Sequence, residues 1–161
     1  MMKPKIITES KIKAMFLLML DISSINKLIS IGDNDNPVFV KKHPDYLRLD
    51  FPDYDYGSIG PQIEDIEQIC AYIQKAKDEQ YSGTFLIHCH AGISRSSAAA
   101  FIAHCMFDGP GKEQESLSSV YLENPYARPN ILMIEYADKH LERCGKMNSA
   151  LGERRRGPLS D

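Results

Sequence analysis

A short apolar run, Thr84-Phe85-Leu86-Ile87, leads directly into His88-Cys89-His90-Ala91-Gly92-Ile93-Ser94-Arg95-Ser96, and this junction constrains the fold more than any other stretch. The run reads as a buried parallel strand. Residues 97–107 follow with no charged side chain and with four alanines in their first seven positions, the composition of a buried helix. Strand, tight loop and apolar helix together turn a row of backbone N–H groups toward an anion. Cys89 opens the loop and Arg95 closes it six residues later. A thiol above such amides, next to a helix N-terminus, is expected largely as thiolate near neutral pH. A guanidinium at the far end offers the planar, two-pronged donor that fits a phosphate face. Gly92 supplies the positive φ or close approach that so tight a loop needs. Nucleophile and oxyanion cradle are thus one element, with phosphate, sulfate or a similar oxyanion as its expected occupant.

HCHAGISRS resembles the HC-x5-R-S/T signature of the cysteine-dependent protein tyrosine phosphatases, and its AGISRS form is similar to the dual-specificity branch. A wider likeness, over about residues 46–141, is to small bacterial phosphatases of that type. The resemblance implies a single α/β domain with a mainly parallel sheet and helices on both faces. It also implies hydrolysis of phosphomonoesters through a cysteinyl-phosphate, with phosphotyrosine proteins or peptides as substrates and no cofactor. Cys89 is then the nucleophile. The amides of His90, Ala91, Gly92, Ile93, Ser94 and Arg95 bind the phosphoryl oxygens, and Ser96 donates to the sulfur as it leaves. His88 shapes the loop rather than moving a proton. His88, Cys89 and His90 do not read as metal ligands, because neighbours on a strand point to opposite faces.

The reaction also needs an acid, and Asp50, Asp53 and Asp55 all lie in a loop about 35 residues before Cys89. Small bacterial relatives carry their aspartate after a Leu-Arg-Leu-x-Phe-x pattern. Leu47-Arg48-Leu49-Asp50-Phe51-Pro52 matches it, which favours Asp53 and leaves Asp55 and then Asp50 as alternatives. Pro129-Asn130 resembles the pair that opens the last helix in dual-specificity phosphatases, where the asparagine braces the phosphate loop. An ordinary helix N-cap at Asn130 is a compatible reading.

At 161 residues the chain is long enough for one core, expected over residues 1–145, with 146–161 as a flexible tail that includes Arg154-Arg155-Arg156. A net charge of −3 argues against a general basic field for nucleic acid. Cys70, Cys89, Cys105 and Cys144 show no CxxC, which suits a reducing cytoplasm rather than a disulfide framework. Cys70 and Cys105 read as core residues rather than redox partners of Cys89. The apolar run at 14–20 is too short to span a membrane, so no stable membrane insertion is expected.

Periodicity predicts strands at 5–8, 25–31, 38–40, 46–49 and 84–87. It predicts helices at 10–20, with Ile12, Met15, Phe16 and Met19 as the apolar stripe, and from Pro61 to about 79, with Ile63, Ile66, Cys70 and Ile73. Further helices are expected at 97–107, 112–123 and from 129 to about 144, the last presenting Met133, Tyr136, Ala137, His140, Leu141 and Cys144 on one face. Two rival functions remain open. A phosphatase of phosphoinositides or other non-protein esters is disfavoured because the loop holds no lysine. A phosphoprotein-binding module is disfavoured because cysteine, arginine and candidate acids are all present.

Overall fold

The structure, a computed structural model, describes residues 2–152; Arg154–Arg156 lie outside the described residues. Four strands, β1 (Lys5–Glu9), β2 (Ile25–Gly32), β3 (Tyr46–Asp50) and β4 (Thr84–His88), form one sheet in the order β1-β4-β2-β3. Every neighbouring pair is parallel. All four carboxyl ends therefore open on one edge, where ligands of open α/β sheets bind.

The helices are α1 (Lys11–Leu20), α2 (Val38–Lys41), α3 (Ile63–Asp78), α4 (Arg95–Asp108), α5 (Glu113–Glu123), α6 (Ile131–His140) and α7 (Lys146–Leu151). They cover both faces of the sheet, as expected. Ala14 and Leu18 of α1 and Val40 of α2 pack with Ile25, Leu28 and Leu86 on one side. Helices α3 to α7 pack on the other, around Ile29, Ile31, Phe85, Ile87, Phe101 and Ile134. Helix α4 is buried along nearly its whole length, and its small alanines let it lie close to the sheet. No helix among the described residues is long and apolar enough to cross a membrane.

Four local expectations are corrected. Ser10 does cap α1, accepting from Lys13 N, but the stripe of α1 faces outward. Ile12 is 65%, Phe16 54% and Met19 71% exposed, while Ala14 and Leu18 face the sheet. Residues 14–20 are apolar without a break, so that stretch carries no periodic signal to choose its face. The turn-sized Ala14 allows close approach, even though each exposed large side chain forgoes roughly 1.5–3 kcal/mol of burial. Residues 38–40 form α2, not an edge strand, which lets Val40 drop into the core beneath α1. Helix α3 begins at Ile63, not Pro61, because Gln62 and Asp65 close a capping box there: Gln62 N donates to Asp65 Oδ2 at 2.8 Å. Ile63 is accordingly exposed, with Ile66, Ile69, Cys70 and Ile73 inward.

Helix α6 ends at His140 rather than near 144, and residues 146–151, expected within the tail, form α7. Asp138 receives Gly145 N at 2.7 Å and Met147 N at 2.8 Å, so a carboxylate from α6 caps α7. Met147 is fully buried, whereas Cys144 is exposed. Arg143 and Glu113 form a buried ion pair at 2.8 Å that ties this end to α5.

Candidate active site

Cys89 is the first residue past β4, buried at the carboxyl edge of the sheet. The loop that follows folds back over it. Gly92 has φ of 74°, and a Cβ there would stand 2.5 Å from Ser10 N and 2.6 Å from Glu9 C. Only glycine fits, since both the dihedral and the space exclude a side chain. The return brings Gly92 N within 3.3 Å of Cys89 Sγ, to which it donates. As the thiol, Cys89 donates to Ser96 Oγ at 3.3 Å. Once ionised, sulfur only accepts, and the Ser96 hydroxyl turns to donate.

Neighbouring segments hold the loop's carbonyls. His90 O accepts from Lys11 N at 3.1 Å, Ile93 O from Arg128 N at 2.9 Å, and Ser94 O from Asn130 N at 3.2 Å. Gly92 O accepts from Asn124 Nδ2 at 2.8 Å. His90, Ala91 and Ile93 remain exposed.

Beneath the loop runs a directed polar row. The register pairs Arg48 with Ser30 and Ser30 with His88, so three adjacent strands place three side chains in line. The Cys89 carbonyl accepts only, so His88 Nδ1, 3.1 Å away, carries the ring proton. Nε2 then accepts from Ser30 Oγ at 2.6 Å, and Ser30 Oγ accepts from Arg48 Nη1 at 2.8 Å. Burial above all, with the Arg48 cation adding, pushes the His88 imidazole down to about 4. It is neutral at pH 7 and fixed in one tautomer.

Arg95, the first residue of α4, is buried. Its Nη1 donates to Phe51 O and to Asp33 Oδ1, both at 2.8 Å, and its Nη2 to Asp33 Oδ2 at 3.3 Å. Its Nε is buried without a hydrogen-bond partner.

Of the three aspartates, Asp53 stands at the loop. Its Oδ1 accepts from Ser94 Oγ at 2.7 Å and from Asn130 Nδ2 at 2.9 Å. Asp50 instead binds Arg48 Nη2 at 2.7 Å and Asn34 N at 2.8 Å. Asp55 lies two residues beyond Asp53, half-buried. Asn130 serves as N-cap of α6, accepting from Met133 N at 3.0 Å. Its side-chain amide also reaches Tyr54 O at 3.0 Å, so that amide braces the acidic loop while its backbone N–H braces Ser94.

DUSP15 superposes with a TM-score of 0.68 at 23% identity, covering 96% of this chain and 95% of that one. Human DUSP28 gives 0.64 at 20% identity, covering 89% and 95%. Tk-PTP in its active form gives 0.61 at 17%, covering 88% and 94%. The chain has the fold of the tyrosine and dual-specificity phosphatases. Neither protein-family models nor curated proteins return a match to the sequence.

Within this fold, Cys89, Gly92, Ser94, Arg95, Ser96, Asp53, His88 and Asn130 lie together at the carboxyl edge of the sheet. Ser30, Arg48, Asn124 and Asp33 are the residues that sequence reasoning missed. Asn124 reaches Gly92 O from the end of α5, and Ser30 and Arg48 meet His88 only through strand register. Cys70 and Cys105 are buried, and burial above all pushes their thiols up to about 12, which keeps both protonated at neutral pH. Among the described residues, no three His, Cys, Asp or Glu side chains gather as a metal site requires.

Proposed function

We propose that this chain is a cysteine-dependent protein phosphatase acting on phosphotyrosine, alone or with phosphoserine and phosphothreonine. The observation that carries the reading is the placement of Cys89 Sγ between Gly92 N–H and the Ser96 hydroxyl. Arg95 closes the same loop, and Asp53 is held at its rim by Ser94 and Asn130.

The chemistry runs in two displacements. Cys89 thiolate attacks phosphorus, the bond to the tyrosine oxygen breaks, and Asp53 gives that oxygen its proton. Asp53, now a carboxylate, takes a proton from water. The water oxygen attacks phosphorus, the P–S bond breaks, and the thiolate departs with a hydrogen bond from Ser96. Loop amides and Arg95 stabilise the equatorial oxygens in both steps. The row from Arg48 through Ser30 and His88 holds the Cys89 carbonyl, and takes no part in proton transfer.

Exposed Ile93 in the loop and exposed Tyr54 beside Asp53, with no lysine in the loop, favour an aromatic phosphoester over an inositol phosphate. Phosphotyrosine peptides are expected to exceed phosphoinositides in kcat/KM by at least about tenfold, ~1.4 kcal/mol in transition-state binding. Steady-state turnover of both panels, with and without EDTA, tests this. A lipid preference, or loss of activity on chelation, overturns it. Four unpaired cysteines agree with a reducing compartment, and we place the protein in the cytoplasm.

Asp53→Asn is expected to slow phosphotyrosine turnover roughly 10²–10⁴-fold, the usual range of general acid catalysis. A phenol with a pKa near ~10 needs a proton to leave. An activated aryl phosphate leaves as the anion, so its turnover falls far less. Asp50→Asn and Asp55→Asn lack this leaving-group dependence. If Asp55→Asn shows it and Asp53→Asn does not, the acid is two residues further along.

A further inference from the structure

Asp33 follows Gly32, the last residue of β2. Because β2 lies beside β4 with Ser30 opposite His88, residue 33 leaves the sheet at the same edge as the nucleophile. Its two carboxylate oxygens clasp Nη1 and Nη2 of Arg95 at 2.8 and 3.3 Å. With Phe51 O also on Nη1, the end-on edge of the guanidinium is occupied. The side-on edge, Nε with the second hydrogen of Nη2, is not: Nε is buried and has no partner.

We propose that Asp33 is a positioning residue for Arg95, taking its end-on edge so that Nε and Nη2 meet two oxygens of the phosphoryl group. The proposal rests on the function given above.

Two observations separate this from a structural ion pair. The Asp33 side chain is 52% exposed against 6% for Arg95, and so exposed a carboxylate adds little to stability. A buried donor left unpaired is costly, which is tolerable at a site where a ligand supplies the acceptor. Asp33 also carries the wrong sign for direct use, because a carboxylate beside a phosphoryl dianion repels it. Its benefit can therefore come only through Arg95.

That opposition of signs makes a double-mutant cycle decisive. With Arg95 present, Asp33→Asn is expected to lower kcat on a phosphotyrosine peptide about tenfold or more, with KM unchanged or reduced. Tungstate, a tetrahedral dianion, should bind about tenfold more weakly by calorimetry. In the Arg95→Ala background the same Asp33→Asn change should leave tungstate affinity unaltered or improve it. A merely structural Asp33 would weaken tungstate equally in both backgrounds, and that result overturns the proposal. So does wild-type affinity and turnover in Asp33→Asn. A wild-type protein that turns over no phosphomonoester instead defeats the phosphatase reading, while the tungstate cycle still decides the role of Asp33.

Discussion

Cys89→Ser is expected to abolish phosphomonoester turnover while leaving ester binding within a few-fold of wild type. The serine oxygen is nearly isosteric with sulfur and would meet the same two neighbours, Gly92 N–H and Ser96 Oγ. The loop carbonyls keep their partners on Lys11, Asn124, Arg128 and Asn130, so the cradle survives. What is lost is the nucleophile, because a hydroxyl is not ionised at neutral pH and no second base is hydrogen-bonded to it. His88 cannot substitute: its proton sits on Nδ1 against the Cys89 carbonyl and its Nε2 is taken by Ser30. A loss of at least about 10⁴-fold in kcat follows, in line with removal of other enzymic nucleophiles. Initial rates on a phosphotyrosine peptide and its affinity by calorimetry check both halves. Substantial residual turnover would contradict the nucleophilic role; loss of binding would contradict the separation of cradle from nucleophile.

Arg95→Lys should cost roughly 10²–10³-fold in kcat although the charge is kept, the scale of losing a preorganised donor to transition-state charge. Arg95 already donates to both Asp33 oxygens, to Phe51 O and to Gly32 O, and a further edge remains for the substrate. A lysine ammonium has three hydrogens on one atom and cannot serve both sets in fixed directions. Because the bidentate contact tightens in the transition state, the loss should appear in kcat more than in KM. A decrease of only a few-fold would show that a point charge suffices and that Arg95 does not close the loop as described.

The parts of this site legible in the sequence are those written by local chemistry. The strand, the loop glycine and the charge-free helix follow one another within 24 residues, from Thr84 to Phe107, and each has one reading. Ser10 and Asn130 announce their helices because an N-cap needs only its own backbone three residues on. Contacts made by register or by distant partners left no such mark. Ser30 and Arg48 become neighbours of His88 only once the strand order β4-β2-β3 is known. Asp33 sits in Gly-Asp-Asn-Asp-Asn-Pro, a composition that reads as a turn and hides the one aspartate facing Arg95. Helix α7 depends on Asp138, seven residues before Gly145 and on another helix. The inward face of α1 is illegible because residues 14–20 are apolar without a break.

The central claim is that phosphate passes through sulfur, and rapid-quench trapping tests it most directly. The protein is mixed with a phosphotyrosine peptide, stopped with denaturant in alkali within the first turnover, digested at alkaline pH and mapped by mass. Asp53→Asn remains competent to attack an activated aryl phosphate but is slow to activate water, so it should accumulate the species in near-stoichiometric amount. The account predicts a single phosphoryl group on the peptide containing Cys89, appearing as fast as the first product and absent in Cys89→Ser. Turnover with no phosphoryl group on Cys89 at any time, or with the group on a histidine instead, would contradict it.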